Sequence, residues 1–265
     1  MTAQMTAATP AVLEARGLSL AFGGLVAVEA LSLALPARGL RGLIGPNGAG
    51  KTTVFNLLTG VYRPDRGEVR LGAERIDGRR PSAIARAGLV RTFQNIRLFG
   101  SLSVLDNVRT AAGLRATSGL WASLVGTPHY LAEQAAIDER SRELLAMMGL
   151  SARADEPAQG LPYGEQRKLE LARALATEPR VLLLDEPVAG MNTREKHEMR
   201  ALIQRLPGEL DVAILLIEHD MGLVMEICEH VTVLDHGVTI AAGAPAQIQG
   251  DPVVIEAYLG AEAGR

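Results

Sequence analysis

Gly45, Pro46, Asn47, Gly48, Ala49, Gly50, Lys51, Thr52 and Thr53 follow one another and satisfy the pattern G-x-x-x-x-G-K-[ST] in full. Residue types in that order are suited to holding phosphate. Glycines reach backbone conformations closed to other residues, so successive N–H groups can turn inward around phosphate oxygens. Lys51 adds a full positive charge for the β- and γ-phosphates, and the Thr52 hydroxyl is a ligand for Mg²⁺. An apolar run at 40–44 precedes the loop, and Thr52, Val54, Phe55, Leu57 and Leu58 begin a helix expected to end near Gly60. The N-terminus of that helix directs a partial positive charge at the anion. Strand, loop, Lys-Thr and helix occurring together imply a nucleoside triphosphate site, not a glycine-rich turn with an incidental lysine.

Two carboxylates extend that chemistry. Residues 181–184 are Val-Leu-Leu-Leu and run directly into Asp185 and Glu186, so both acids stand where a buried strand emerges. Alone, such a pair reads as a solvated acidic turn. Beside a phosphate loop, Asp185 is expected to hold Mg²⁺ directly or through water, and Glu186 to polarise or orient an attacking water. His219 follows another apolar strand in Ile217-Glu218-His219-Asp220, where an imidazole can donate to the γ-phosphate or to the attacked water. Gln94 ends the run at 89–93, and its amide can join the metal or water shell.

The elements that must position these groups alternate between strand and helix. Apolar alternation at 12–20 and 26–35 predicts antiparallel strands joined by Phe22-Gly23-Gly24. A turn at 64–67 leads to a strand at 68–71, a short helix at 82–87 and a strand at 89–93. From about 95 to 161 the texture is helical: Val104, Leu105 and Val108 recur at helical spacing, as do Ile137, Leu144, Leu145 and Met148, with Gly149 placed to end the second run. The stretch 116–128, which contains Trp121, shows no pattern. A helix at 165–177, the strand 181–184, a charged helix at 194–206, the strand 212–217, a helix at 221–227 and a hairpin around 235–237 complete the order. The expected fold is α/β, a P-loop NTPase core with a mainly parallel sheet between helices, an antiparallel β subdomain and a helical insertion. Ligands in such sheets collect at the carboxyl ends of strands, where all the groups above are placed.

Bulk composition narrows the classes. The chain has 265 residues, 48% of them hydrophobic, which is ample for a buried core. No apolar run approaches the roughly 20 residues of a membrane helix. The Ala/Thr-rich segment at 1–10 carries no basic residue and reads as a disordered leader, not a signal or transit peptide. A single cysteine, Cys228, excludes an intrachain disulfide and fits a reducing cytoplasm. Net charge is −3 with no Lys/Arg-rich block, so no nucleic-acid partner is expected.

Taken together, the chain resembles the ATP-binding cassette ATPases over nearly its whole length. The resemblance rests on the 45–53 loop, Gln94, the segment Leu161-Pro162-Tyr163-Gly164-Glu165-Gln166 ahead of a helix, Asp185-Glu186 and His219. It implies a single ATPase domain over 11–265, with a core at about 11–94 and 165–240, a helical subdomain at about 95–164 and a helical tail at about 241–265. In that family two subunits bury two ATP molecules, each phosphate loop facing the other subunit's signature segment. Gly164 would therefore serve a nucleotide in trans, and Phe22 would stack on adenine, a core aromatic being the alternative. The usual signature is Leu-Ser-Gly-Gly-Gln. Pro162 here removes a hydroxyl and Glu165 adds a negative charge, so binding is expected to persist while closure or turnover weakens.

The sequence is similar to the branched-chain amino acid importers in Ala189-Gly190-Met191-Asn192, in the segments 91–99 and 217–221, and in the ending 254–260. That resemblance implies an ATPase with ATP and Mg²⁺ as cofactors, peripheral at the cytoplasmic face of the cell membrane. Its partners would be membrane-spanning permease subunits, a second ATPase subunit (an identical copy or a related paralogue) and, indirectly, a solute-binding protein. Leu98 and Phe99 would either form the groove that receives a permease helix or pack locally. Rival readings are a soluble cassette ATPase acting on nucleic acid or ribosomes, and the ATPase of a lipid or glycan exporter.

Overall fold

The computed structural model describes residues 11–263, so the leader expected at 1–10 lies outside the described residues. The chain begins with strands β1 (Ala11–Phe22), β2 (Leu25–Pro36) and β3 (Gly39–Ile44), then helix α1 (Lys51–Leu58), β4 (Arg66–Leu71), β5 (Glu74–Arg75) and α2 (Pro81–Ala87). Next come β6 (Leu89–Arg91), α3 (Val104–Ala112), α4 (Leu120–Val125), α5 (Pro128–Met147), α6 (Tyr163–Ala176), β7 (Val181–Asp185) and α7 (Thr193–Leu210). The last elements are β8 (Ala213–Ile217), α8 (Met221–Ile227), β9 (His230–Asp235), β10 (Val238–Gly243), α9 (Pro245–Gln249) and α10 (Pro252–Ala263). The described residues divide into two compact units, one from 11–84 and 205–263 and the other from 85–204.

In the first unit, β1 and β2 form the expected hairpin, closed by Gly23 and Gly24 with Phe22 opposite Leu25. With β4 and β5 they make an antiparallel sheet ordered β2-β1-β4-β5. In a second sheet β10, β9, β3 and β8 are successive neighbours; β3 pairs in parallel with both β8 and β9, and β10 returns antiparallel. All five residues of β8 are buried, so it reads as a continuous apolar run, as a strand covered on both faces must. Gly42 of β3 supports α8: a Cβ there would lie 2.9 Å from Val224 and 3.3 Å from the Cys228 sulfur. The Cys228 thiol is buried, and burial pushes its pKa up to about 12.

The second unit pairs β6 with the fully buried β7 in parallel, and packs α3 against α5 and α6. Of the residues picked out by helical spacing, Val104, Leu105, Val108, Leu144, Leu145 and Met148 are buried, while Ile137 is half-buried. Gly149 ends the long helix at φ +72, in the left-handed region suited to a C-terminal glycine.

Three local expectations are corrected. The strand expected over 89–93 stops at Arg91, because Phe93 leaves the ladder and both its backbone groups are held by side chains of α6. The charged helix expected at 194–206 runs from Thr193 to Leu210, through Pro207. The unpatterned stretch contains α4, whose Trp121, Leu124 and Val125 are 79%, 78% and 74% exposed. Apolar residues facing solvent around a six-residue helix leave no periodic signal.

Candidate active site

The phosphate loop spans the gap between β3 and α1, and its glycines have separate jobs. Gly45 adopts φ +152, and a Cβ there would stand 2.0 Å from the carbonyl oxygen of Leu234 in β9. Gly50, at φ +101, faces the Ala27 carbonyl, 2.5 Å from where a Cβ would be. Gly48, at φ +84, meets nothing within 4 Å. The first two are thus required by neighbouring backbone, whereas Gly48 keeps an open side of the loop bare. The β9–β10 turn braces the loop, with the Gly237 N–H donating to the Ala49 carbonyl at 2.9 Å.

Gly50 caps α1 with no side-chain hydrogen bond, and no acidic residue occupies the first turn. No carboxylate of the first turn itself therefore competes for the N-terminal N–H groups, which suits an anion site. Lys51 is buried and donates from Nζ to the carbonyls of Gly45 and Pro46 at 2.7 and 2.8 Å, which pins the ammonium over the loop. Thr52 is exposed at the same helix start. Phe22 is 46% exposed and meets Tyr62 edge-on at 5.2 Å, so it is not a core aromatic. His219 follows β8 with its ring largely exposed, beside the fully buried Glu218, whose carboxylate accepts from the His219 N–H at 3.1 Å. Asp220 caps α8 through a 3.2 Å bond from the Leu223 N–H. A cleft of about 680 Å³ lies beside the loop, with Asn47 and Gly48 on one side and Val253, Glu256 and Ala257 of α10 on the other.

In the second unit, β7 delivers Asp185 and Glu186. Asp185 is buried and bonded to Arg91 of β6 at 2.6 Å, an ion pair with both side chains under a tenth exposed. Glu186 takes φ +48, an uncommon conformation for a residue with a side chain, costing about 1–2 kcal/mol. That turn brings its carboxylate to Gln94, whose Nε2 donates at 2.9 Å. The signature segment opens α6. Pro162 is the cap residue and contributes no side-chain bond, while Glu165 pairs with Arg153 at 2.8 Å, so its charge is opposed locally. Gly164 is buried under the Glu195 carboxylate, 2.6 Å from where a Cβ would be. Glu195 in turn closes a reciprocal cap with Asn192 at the start of α7, both bonds 3.0 Å.

Comparison with known proteins decides the family. The family described as "ABC transporter" matches residues 28–189, and a second, described as "Branched-chain amino acid ATP-binding cassette transporter", matches 238–264. The chain belongs to the ABC transporter ATPases. It is 45% identical over 249 residues to the high-affinity branched-chain amino acid transport ATP-binding protein BraF of Pseudomonas aeruginosa, covering 94% of this chain and 98% of BraF. LivG of Escherichia coli K12, described in the same words, is 44% identical with the same coverage. Among solved structures, the ADP conformation of MJ1267, an ATP-binding cassette of an ABC transporter, superposes with a TM-score of 0.81 at 28% identity, over 94% of this chain and 99% of that one. The α/β P-loop fold, nucleotide binding and ATPase class of this cassette follow.

Within its own unit, the cassette brings Gln94 to Glu186, while Lys51 and Thr52 share the start of α1. Sequence reasoning missed Arg91 as the partner of Asp185, and the buried Arg167 with its neighbours Tyr163 and Glu170. The only available signal was spacing: 163, 167 and 170 lie on one helical face.

Proposed function

We propose that this ABC ATPase powers a membrane importer for branched-chain or related amino acids. The match of residues 238–264 to the branched-chain amino acid cassette family carries that reading, since this C-terminal segment lies outside the general cassette match. In this reading two ATPase subunits sandwich two ATP molecules at the cytoplasmic face of the membrane and act on permease subunits fed by a solute-binding protein. Lys51 and the loop N–H groups take the phosphates, Phe22 the adenine, and Gly164 covers a nucleotide held by the other subunit. Glu186 acts as general base with Gln94 orienting the water, and His219 donates to the γ-phosphate.

In this reading Mg²⁺ would be held by Thr52, Gln94 and Asp185, whose hydroxyl, amide and carboxylate oxygens are of the type it prefers. A hard cation that keeps its waters and binds phosphate oxygens uses few protein ligands of this type. When bound, it would neutralise charge on the phosphates. No helix of the described residues is long and apolar enough to cross a membrane.

For docking, a groove of about 380 Å³ is lined by Phe93, Arg97, Phe99 and Arg173, with Phe99 47% exposed beneath the Arg173 guanidinium. Leu98 is half-buried and is not part of that lining, so Phe99 is the better candidate contact for a permease helix. The test is isolation of the intact membrane complex and uptake of labelled leucine into vesicles under ATP. ATP-driven leucine uptake supports the reading; a complex that moves lipid or glycan outward, or a chain that co-purifies with ribosomes or DNA and no permease, would overturn it.

A further inference from the structure

Arg167 lies one turn into α6 and is 4% exposed, yet touches none of the groups assigned to nucleotide. A guanidinium has five N–H donors in a fixed fork, and here all have acceptors. Nε donates to the Tyr163 hydroxyl oxygen at 3.2 Å, and Nη1 donates to the Phe93 carbonyl at 2.9 Å and the Glu170 carboxylate at 3.3 Å. Nη2 donates to the Gln94 carbonyl and, at 2.9 Å, again to the Tyr163 oxygen. Glu170 completes the grip by accepting from the Phe93 N–H at 3.4 Å.

These bonds form part of a closed ring. Tyr163 donates its hydroxyl hydrogen to the Ala189 carbonyl at 3.1 Å, and the Ala189 N–H donates to the Glu186 carbonyl at 3.2 Å. The Glu186 carboxylate accepts from the Gln94 side chain at 2.9 Å, and the Gln94 carbonyl returns to Arg167. The signature helix, the Gln94 segment and the turn after β7 are thus tied at every junction, with Gly164 next to Tyr163 on the same helix. We infer that Arg167 and Tyr163 are positioning residues that set Gln94 and Glu186 from the signature helix, so that contact at Gly164 is transmitted to the pair handling the attacking water. This inference rests on the roles proposed above for Gln94 and Glu186. Lysine cannot replace Arg167, because a single ammonium cannot reach the Phe93 and Gln94 carbonyls and the Tyr163 oxygen in one plane.

The test uses the purified chain and the variants Tyr163→Phe and Arg167→Lys. Steady-state ATP hydrolysis, equilibrium binding of a fluorescent ATP analogue and the thermal midpoint are measured on each. Tyr163→Phe keeps the ring and removes only the hydroxyl, so it guards against a variant that merely misfolds. Both variants should lower kcat at least about tenfold, since each loses more than one hydrogen bond to or around a charged group, with nucleotide affinity changed less than about twofold. Adding Tyr163→Phe to Gln94→Ala should slow Gln94→Ala by less than it slows the wild type, since the two share part of one path. Wild-type kcat in both single variants, or fully additive losses in the double, would overturn the inference. Glu186→Gln separates the two readings. If it is inactive while Tyr163→Phe and Arg167→Lys turn over normally, only the ring fails; if it hydrolyses normally, the role of Glu186 fails and the ring with it.

Discussion

Replacing Gly45 or Gly48 by alanine adds the same methyl group to the same loop, but the two should fail in different assays. At Gly45 the new carbon would sit 2.0 Å from the Leu234 carbonyl oxygen and 3.2 Å from the Ala49 Cβ. A carbon and a carbonyl oxygen ordinarily approach no closer than about 3.3 Å, so β9 or the loop must yield by more than about 1 Å. Leu234 belongs to β9, which is hydrogen-bonded to β3 through Ile44 and Val233, so that movement disrupts the parallel ladder. Together with backbone strain at φ +152, the cost falls in the exceptional class above about 4 kcal/mol. Against a total stability of about 5–15 kcal/mol, much of the protein is expected to lose its fold. At Gly48 nothing lies within 4 Å, and only the left-handed φ of +84 is charged, about 1–2 kcal/mol. That corresponds to a fall in melting temperature of about 2–8 °C. The Gly48→Ala methyl projects into the open side of the loop and should cut ATP affinity at least tenfold in a protein that still folds. Scanning calorimetry and titration with a fluorescent ATP analogue measure the two losses. A Gly45→Ala protein melting within about 2 °C of wild type would refute the steric assignment, and a Gly48→Ala protein that binds ATP normally would refute the reading of the open side.

Glu186→Gln should keep ATP binding, lower hydrolysis by about 10²–10⁴-fold and accumulate a nucleotide-bound dimer on size exclusion; wild-type phosphate release would remove Glu186 as general base. Pro162→Ser restores a capping hydroxyl worth about 1 kcal/mol and gives up about 0.4–1 kcal/mol of proline rigidity. Its melting temperature should therefore barely change while turnover rises, and an unchanged turnover would show that the missing hydroxyl is immaterial. Burial first, and then the Arg41 charge beside it, holds the His230 imidazole below its ordinary pKa. The unfolded chain then binds the extra proton first, so stability should be lost as pH falls through about 6.5. His230→Gln should flatten that part of a urea-midpoint profile; an unchanged slope would exonerate His230.

The parts of this cassette legible in sequence are those whose physics is local. The phosphate loop depends on glycine backbone freedom, β7 and β8 on uninterrupted apolar runs, and the first hairpin on alternation closed by Gly23-Gly24. Contacts between distant segments were not legible. Arg91 meets Asp185 across 94 positions of chain, and Arg167 reaches Gln94 across 73, and neither partner marks its residue type in a single sequence. The end of β6 was misplaced for the same reason, since side chains of α6 take over the backbone of Phe93. Glu165 reads as an exposed charge beside a phosphate until Arg153 is seen against it. Trp121, Leu124 and Val125 defeat pattern analysis because apolar residues in a short exposed helix carry no inside-outside contrast.

The thiol beneath β3 has a practical consequence. Thiol reagents attack the thiolate, and a buried cysteine with its pKa pushed up to about 12 presents almost none at neutral pH. As Cys228 is the only cysteine in the chain, the wild-type protein already behaves as a silent background for labelling. One cysteine placed at an exposed position, such as Leu124 on α4, would take up a fluorophore or spin label alone. Distances between labels on two subunits could then test the proposed closing of a sandwich around ATP without first engineering the native thiol away.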